Sequence, residues 1–301
     1  MKIKESIPSR LFDIFNIVLM VVLGLIMIFP YLNVLAKSFN DAADSARGGI
    51  TFFPRVFTIE NFKTIFADST TISALIVSIA RVLIAVVLSL LVQFSAAYAL
   101  SKQNFPGKKF FVTLYMIPMF IAAGQVPLYV IITRLNLLNT FWVYILPFLF
   151  SFYNIVIIRT FIQSTIPISI EESALIDGAN EIIMFFKLIL PLSKPILATI
   201  ALWVMVQHWN DWTATLYYIR KQDLFTLQYI MMQLVKETDR LQKMQQAAIE
   251  AGMPVEEIKS KISSESLIAA QVIVTTVPII CVYPFLQKYF VKGIMMGSVK
   301  G

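Results

Sequence analysis

Few residues in this chain of 301 are equipped for covalent chemistry. There is one histidine, His208, and one cysteine, Cys281. A Cys/His metal site needs several such ligands, so none is expected, and a single thiol forms no intrachain disulfide. A phosphate-cradling G-x-x-x-x-G-K-[ST] loop is absent. Gly107-Lys108 is the only Gly-Lys pair, and the position five before that glycine holds Lys102. The chain is therefore expected to be no enzyme and to bind no cofactor of its own. Other polar residues stand out by their surroundings. Arg81, Gln125, Asn154 and Gln207 interrupt apolar runs, and Trp209-Asn210-Asp211-Trp212 closes one. A polar group at membrane depth needs a protein partner or a water-filled cavity, so these positions are candidates for a translocation pathway. Structural readings stand beside that one: Arg81 as an ion pair or a snorkel, the tryptophans as interfacial anchors, His208 as a packed polar residue. Aromatic faces beside amides and a carboxylate also suit sugar rings, which stack and hydrogen-bond. A second polar group, Glu171-Glu172-Ser173-Ala174 with Asp177-Gly178 and Pro191, lies outside the apolar runs.

The elements that must carry these residues are membrane spans. Apolar residues make up 58% of the chain and charged residues 14%, with mean hydropathy +0.76. Soluble domains sit near 45–50% and 25%. The composition excludes disorder and a nucleic-acid-binding tail. Six stretches reach the roughly 20 apolar residues that a crossing helix requires. They lie at about 12–35, 71–101, 110–133, 140–163, 195–217 and 266–287. Alternating short strands are lacking, which argues against a barrel. The sequence thus predicts an all-α membrane protein of six transmembrane helices, a single transmembrane domain over 1–301. The first span is too long for a removable signal peptide. Pro30, Pro118, Pro127, Pro147 and Pro278 fall inside spans, where each removes a backbone donor and favours a kink. The net charge is +7. Short basic segments near 102–109 and 288–300 favour cytoplasmic N- and C-termini. The 36–70 segment then reads as a structured outer loop with turns at Gly48-Gly49 and Pro54. The 218–265 segment reads as an extracytoplasmic insertion: two short exposed helices separated at Gly252 and Pro254, with Asp239/Lys243 and Glu257/Lys261 pairs at i,i+4.

The 164–194 loop has the most local order. Pro167 ends the preceding span, and Ser169-x-x-Glu172 has capping-box spacing. Gly178 sits where a short helix over Ile170–Asp177 would stop, since glycine adopts the left-handed conformation freely. Ile170, Ala174 and Leu175 form an apolar stripe, and Glu171, Glu172 and Asp177 are expected to point away. A second apolar helix is expected from Asn180 to Pro191. A two-turn helix is unstable alone in water and must dock. A groove on a cytoplasmic partner and the inner leaflet of the bilayer both remain open as its seat.

Glu172-Ser173-Ala174-x-x-x-Gly178, followed by Leu188-x-Leu190-Pro191, resembles the EAA loop of bacterial ABC importer permeases. Ser173 stands where that pattern has alanine and Leu188 where it has isoleucine, both size-tolerant changes. The longer string I-P-x-x-x-E-E-x-A-x-I-D-G-A resembles the carbohydrate-uptake subfamily, the maltose-transporter type. Further resemblances follow in collinear order: Ala96-Ala97-Tyr98-Ala99-Leu100-Ser101, Phe105-Pro106-Gly107-Lys108, Val126-Pro127-Leu128-Tyr129, Trp209-Asn210-Asp211-Trp212 and the tail from Gln287 to Gly301. The resemblance implies a type I ABC importer permease fold in the bacterial cytoplasmic membrane. It implies a second, homologous permease subunit, two cytoplasmic ATPase subunits that hold ATP and Mg, and an extracytoplasmic solute-binding protein delivering a carbohydrate. Glu171, Glu172, Ser173, Ala174, Asp177, Gly178 and Pro191 would form the ATPase-coupling loop. Gly293, Gly297, Lys300 and Gly301 would belong to a tail that touches the ATPases. A permease for a non-sugar solute and a stand-alone secondary transporter are the alternatives.

Overall fold

A computed structural model describes residues 7–45, 47–121, 124–250 and 265–297. These residues are almost wholly helical, and the only strand-like pairing among them is a single antiparallel bridge between Asn40 and Phe57. Three helices are long and apolar enough to cross a membrane unaided: Pro8–Ser38, Ser69–Ser101 and Glu265–Val282. Counting each bent helix pair as one further span brings the number to six. Lysine 300 and Gly301 of the expected tail, and Gly252, Pro254, Glu257 and Lys261 of the expected insertion, lie outside the described residues.

Several spans depart from the sequence reading. The 110–133 stretch is two helices, Lys108–Phe120 and Gln125–Arg134, with axes 120° apart. Gly124 follows the break with φ +82°, a backbone conformation that side chains with a Cβ rarely adopt. The 140–163 stretch opens with two 3-10 turns, Phe141–Tyr144 and Leu146–Phe148. It becomes a regular helix only at Phe152–Thr165, 52° away. Pro147 lies in the second of those turns, where its missing N–H costs little. The 195–217 stretch divides into Lys194–Asn210 and Thr213–Tyr218. The last helix runs from Glu265 to Gly297 and contains Pro278 and Pro284, so the tail glycines Gly293 and Gly297 are helical. Where the sequence predicts the first short helix of the 218–265 segment, a 24-residue helix, Leu227–Glu250, follows a 3-10 turn at Gln222–Leu224.

Contacts divide the chain into two compact units. One comprises the chain up to Ser69 together with Gln233–Thr276. Its first helix, Ile7–Ser38, exposes nearly every apolar side chain, as a lipid-facing span should. The loop after it is organised by Asn40. That side chain donates to Asp44 and Ser45 and accepts the backbone N–H of Arg55 at 2.8 Å and of Val56 at 2.9 Å. Lys37, at the end of the first helix, bridges Glu265 at the start of the last one at 2.8 Å.

The other unit comprises Thr70–Met232 with the chain beyond Val277. Its central helix is Ser69–Ser101. The buried positions Ala74, Ser78, Ala85, Ser89 and Ala97 recur along it at helical spacing. Small residues let helix backbones approach closely in lipid, where packing rather than water exclusion drives association. One core cluster gathers Phe94, Tyr98, Phe152, Ile155, Ile162, Phe185 and Ile200 from four segments. A second gathers Ala85, Ile132, Tyr144, Ile145, Ala214 and Tyr218.

Candidate functional site

The short loop helix spans Ile168–Ile176, two residues earlier than expected. Pro167 is its N-cap with φ −62° and ψ 139°, and no side chain caps it. The expected capping box does not form, because Ser169 is already inside the helix, where its carbonyl accepts the Ser173 hydroxyl at 2.8 Å. The C-terminus follows the sequence reading closely. Gly178 has φ +79°; its N–H bonds the Leu175 carbonyl at 3.0 Å, and the Ala179 N–H bonds the Ala174 carbonyl at 2.9 Å. This pair of bonds is a Schellman motif, with glycine at the left-handed position. No atom lies within 4 Å of a Cβ built on Gly178, so its constraint is one of backbone conformation alone.

The helix does not sort its residues as expected. Ala174 is buried, but Leu175 is exposed, as are Ile168 and Ile176. Glu171 turns inward: its carboxylate accepts Lys102 Nζ at 2.6 Å. The reason is non-local, since Lys102 stands immediately after the Ser69–Ser101 helix and offers a half-buried cation. Burial by itself would lower the Lys102 pKa, but the hydrogen bonds to Glu171 and Tyr98 outweigh it and hold the ammonium above the ordinary lysine value. Glu172 is exposed. The exposed residues of the helix are Ile168, Ser169, Glu172, Ser173, Leu175 and Ile176, so its outer surface carries one carboxylate among three large apolar side chains, with the exposed Asp177 just past its end.

Beyond Gly178, Asn180 caps the next turn, its side-chain oxygen accepting the Ile183 N–H at 2.9 Å. The expected second helix is present but irregular. It widens into a π-helix over Met184–Ile189 and passes through Pro191 before breaking at Ser193. Widening ahead of Pro191 relieves the clash between its ring and the carbonyl four residues earlier. Beside the loop lies an open groove of about 1060 Å³, lined by Lys102, Phe105, Gln163, Glu171, Glu172 and Leu175 among others.

The intramembrane candidates fall into two small cavities. The first, of about 240 Å³, is lined by Arg81, Gln125, Gln207, His208 and Asp211. The second, of about 210 Å³, is lined by Gln93, Asn154, Gln207 and His208, and both share Phe148. Arg81 is 1% exposed and is an ion pair with Asp211, donating to its carboxylate and, at 2.9 Å, to its carbonyl. The guanidinium also lies 4.6 Å from the Tyr144 ring centroid. The other Asp211 oxygen accepts the Thr213 N–H at 2.9 Å and the Thr213 hydroxyl at 2.5 Å. Gln125 accepts from Tyr218 at 3.3 Å, and Asn154 donates to Gln93 at 3.0 Å. Trp209 is buried and lines neither cavity, so it does not act as an exposed interfacial anchor within this chain. Asn210 accepts from Gln228 instead. His208 is buried as a packed residue, with Nδ1 unpartnered.

Sequence reasoning missed Gln93, Lys102 and Glu181. Gln93 is a lone polar residue in an apolar run, the same signal that singles out Arg81. Lys102 and Glu181 carry no such signal, because their partners are distant in sequence. Among the described residues no group of three or more His, Cys, Asp or Glu side chains is placed to hold a metal.

The described residues hold up to six stretches long and apolar enough to cross a membrane, and the unit over Thr70–Met232 carries two small polar cavities and an exposed two-turn helix: the features of a multi-span membrane protein. The family model for the "Binding-protein-dependent transport system inner membrane component" matches residues 94–296, and the chain belongs to that family. Protein LplC of Bacillus subtilis (strain 168) is 36% identical over 97% of this chain and 96% of its own length. The polygalacturonan/rhamnogalacturonan transport system permease protein YtcP of the same organism is 31% identical over 97% of this chain and 99% of its own. The crystal structure of a bacterial ABC transporter involved in the import of the acidic polysaccharide alginate contains a chain matching with TM-score 0.82 and 27% identity. The match covers 96% of this chain and 100% of that one.

Proposed function

We propose that this protein is a permease subunit of an ATP-driven importer of a sugar or oligosaccharide, coupled to its ATPase subunits through the Ile168–Ile176 helix. The observation that carries the reading is the outward face of that helix. Ile168, Leu175 and Ile176 are 58%, 56% and 86% exposed around the exposed Glu172. A helix this short does not present an apolar face to water without a partner to cover it. Glu172 is the electrostatic contact to the ATPase. Ser173, Ala174 and Asp177 shape the helix, Glu171 fastens it to the body, and Gly178 and Pro191 set the turns that follow. The tail residues Gly293, Gly297, Lys300 and Gly301 reach the ATPases as well. ATP and Mg are held, and ATP is hydrolysed, on those partner subunits.

A second, homologous permease completes the pathway, to which this chain contributes Gln125 and Gln207 around the Arg81–Asp211 pair and Asn154 in the second cavity. Trp209 and Asn210 stand beside it. A solute-binding protein delivers the ligand on the outer side, with both termini of this chain in the cytoplasm. The sugar assignment is supported by the polygalacturonan/rhamnogalacturonan permease and the alginate importer among its relatives. Co-purification tests the coupling. Glu172→Ala and Gly178→Val are expected to lose the ATPase subunits and ATP-driven uptake while inserting normally in the membrane. Full retention of both by the two variants contradicts the proposal.

A further inference from the structure

The long Ser69–Ser101 helix ends in a grip on the loop. Lys102 Nζ donates to Glu171 at 2.6 Å and lies 3.4 Å from Glu181. The Tyr98 hydroxyl donates to the same Glu181 oxygen at 2.7 Å, and the ammonium sits 4.4 Å from the Tyr98 ring centroid. Gln163 donates to the Ser101 carbonyl at 2.9 Å. Glu171 belongs to the helix before the Gly178 turn and Glu181 to the helix after it, so one cation holds both arms of the loop. Its setting gives the contact weight. Fully exposed ion pairs contribute little, but the Lys102 and Glu171 side chains are only 23% and 19% exposed.

The same helix is fastened at two further points. Gln93 donates to the Leu149 carbonyl at 2.9 Å and accepts from Asn154, and Arg81 is paired with Asp211. From Arg81 to Lys102 the helix rises roughly 30 Å at about 1.5 Å per residue, the thickness of the hydrocarbon layer. It is an unbroken rod with one end on the loop and its middle against both cavities.

We propose that Lys102 is the positioning residue through which movement of the Ile168–Ile176 helix reaches the Ser69–Ser101 span and, along it, the polar cavities. The inference rests on the reading of that short helix as the ATPase contact. Without the Lys102 bridge, the helix keeps its outward face but loses its firmest attachment to the rod. An arginine in the same place keeps a cation within reach of Glu171 and preserves transmission; a methionine of similar length does not.

The test uses the complete transporter, with its second permease, ATPases and binding protein, in proteoliposomes. A Cys281→Ser, Gln207→Cys background places a single reporter thiol in this chain where the two cavities meet. The labelling rate of that thiol by a water-soluble maleimide is read with and without ATP, Mg and vanadate. With Lys102 present, the nucleotide is expected to change the rate. In Lys102→Met the change shrinks at least about fivefold, and in Lys102→Arg it returns. Glu171→Gln combined with Glu181→Gln, which leaves the lysine in place, is expected to match Lys102→Met even if the latter assembles poorly. An undiminished response in Lys102→Met or in the double Gln variant overturns the inference, as does equal loss in Lys102→Arg. If the transporter with Lys102 shows no response to nucleotide, the ATPase-contact reading falls and the inference falls with it.

Discussion

Arg81 is the residue whose environment says most about the span it occupies. A lone arginine at membrane depth is costly, and the fold answers that cost with a carboxylate, a backbone carbonyl and an aromatic face. Breaking one side of a buried pair leaves the other uncompensated, at about 3–5 kcal/mol. Arg81→Met is therefore expected to lower the melting temperature of the purified protein sharply. Arg81→Met with Asp211→Leu should recover part of the loss, because an apolar pair of similar volume leaves no unpaired charge. Equal melting temperatures for wild type and Arg81→Met would show that the pair is not structural. Lys102 permits a statement about pH. Its pKa lies above the ordinary lysine value, so its contribution to stability is complete below about pH 10.4 and is lost only as pH climbs through the raised value. Nucleotide-driven changes that depend on this bridge should not fade through lysine deprotonation between about pH 6 and 9. A loss across that window in wild type, absent from Lys102→Arg, would contradict the assignment.

At the scale of elements, what the sequence discloses depends on how local the cause is. The end of the loop helix at Gly178 is legible because a left-handed position after a short helix selects glycine by backbone sterics alone. The start of the same helix is not. Ser169-x-x-Glu172 has capping-box spacing, but Pro167, already extended, sets the chain into the helix sooner. Glu171 was expected to point outward because its partner lies 69 residues earlier, where no periodicity within the loop can reveal it. Hydropathy finds the spans by composition and so passes over their breaks: Gly124 sits in the 110–133 apolar run and interrupts a helix that the run suggests is continuous. The irregular helix after Asn180 places Phe185 against the rings of Phe94 and Tyr98, each with a centroid 5.3 Å away. Phe185→Ala is expected to destabilise the protein by less than the about 3–5 kcal/mol typical of a soluble core. In lipid the transfer share of that cost is missing and the lost packing remains. Thermal unfolding in detergent checks this, and an unchanged midpoint would show that the segment is not anchored there.

Across the whole molecule, the sequence made the class of protein plain and left its joints obscure. Composition demands several spans, and the collinear resemblance from the Ala96–Ser101 stretch to the tail matches the extent of the family match over 94–296. Arg81, Gln125, Asn154, Gln207 and Asp211 all line the two cavities, whereas Trp209 and Asn210 do not. No local rule separates these groups, since it is the turn of the Lys194–Asn210 helix against its neighbours that decides which side faces a cavity. The central claim is that the outward face around Glu172 is covered by an ATPase. Site-directed cross-linking tests it most directly: Glu172→Cys in a Cys281→Ser background, in the assembled transporter, paired with single cysteines scanned across the ATPase surface. The account predicts a strong cross-link to the ATPase whose yield changes when ATP and Mg are added. No cross-link, with residue 172 labelled instead by a lipid-soluble thiol reagent, would contradict it.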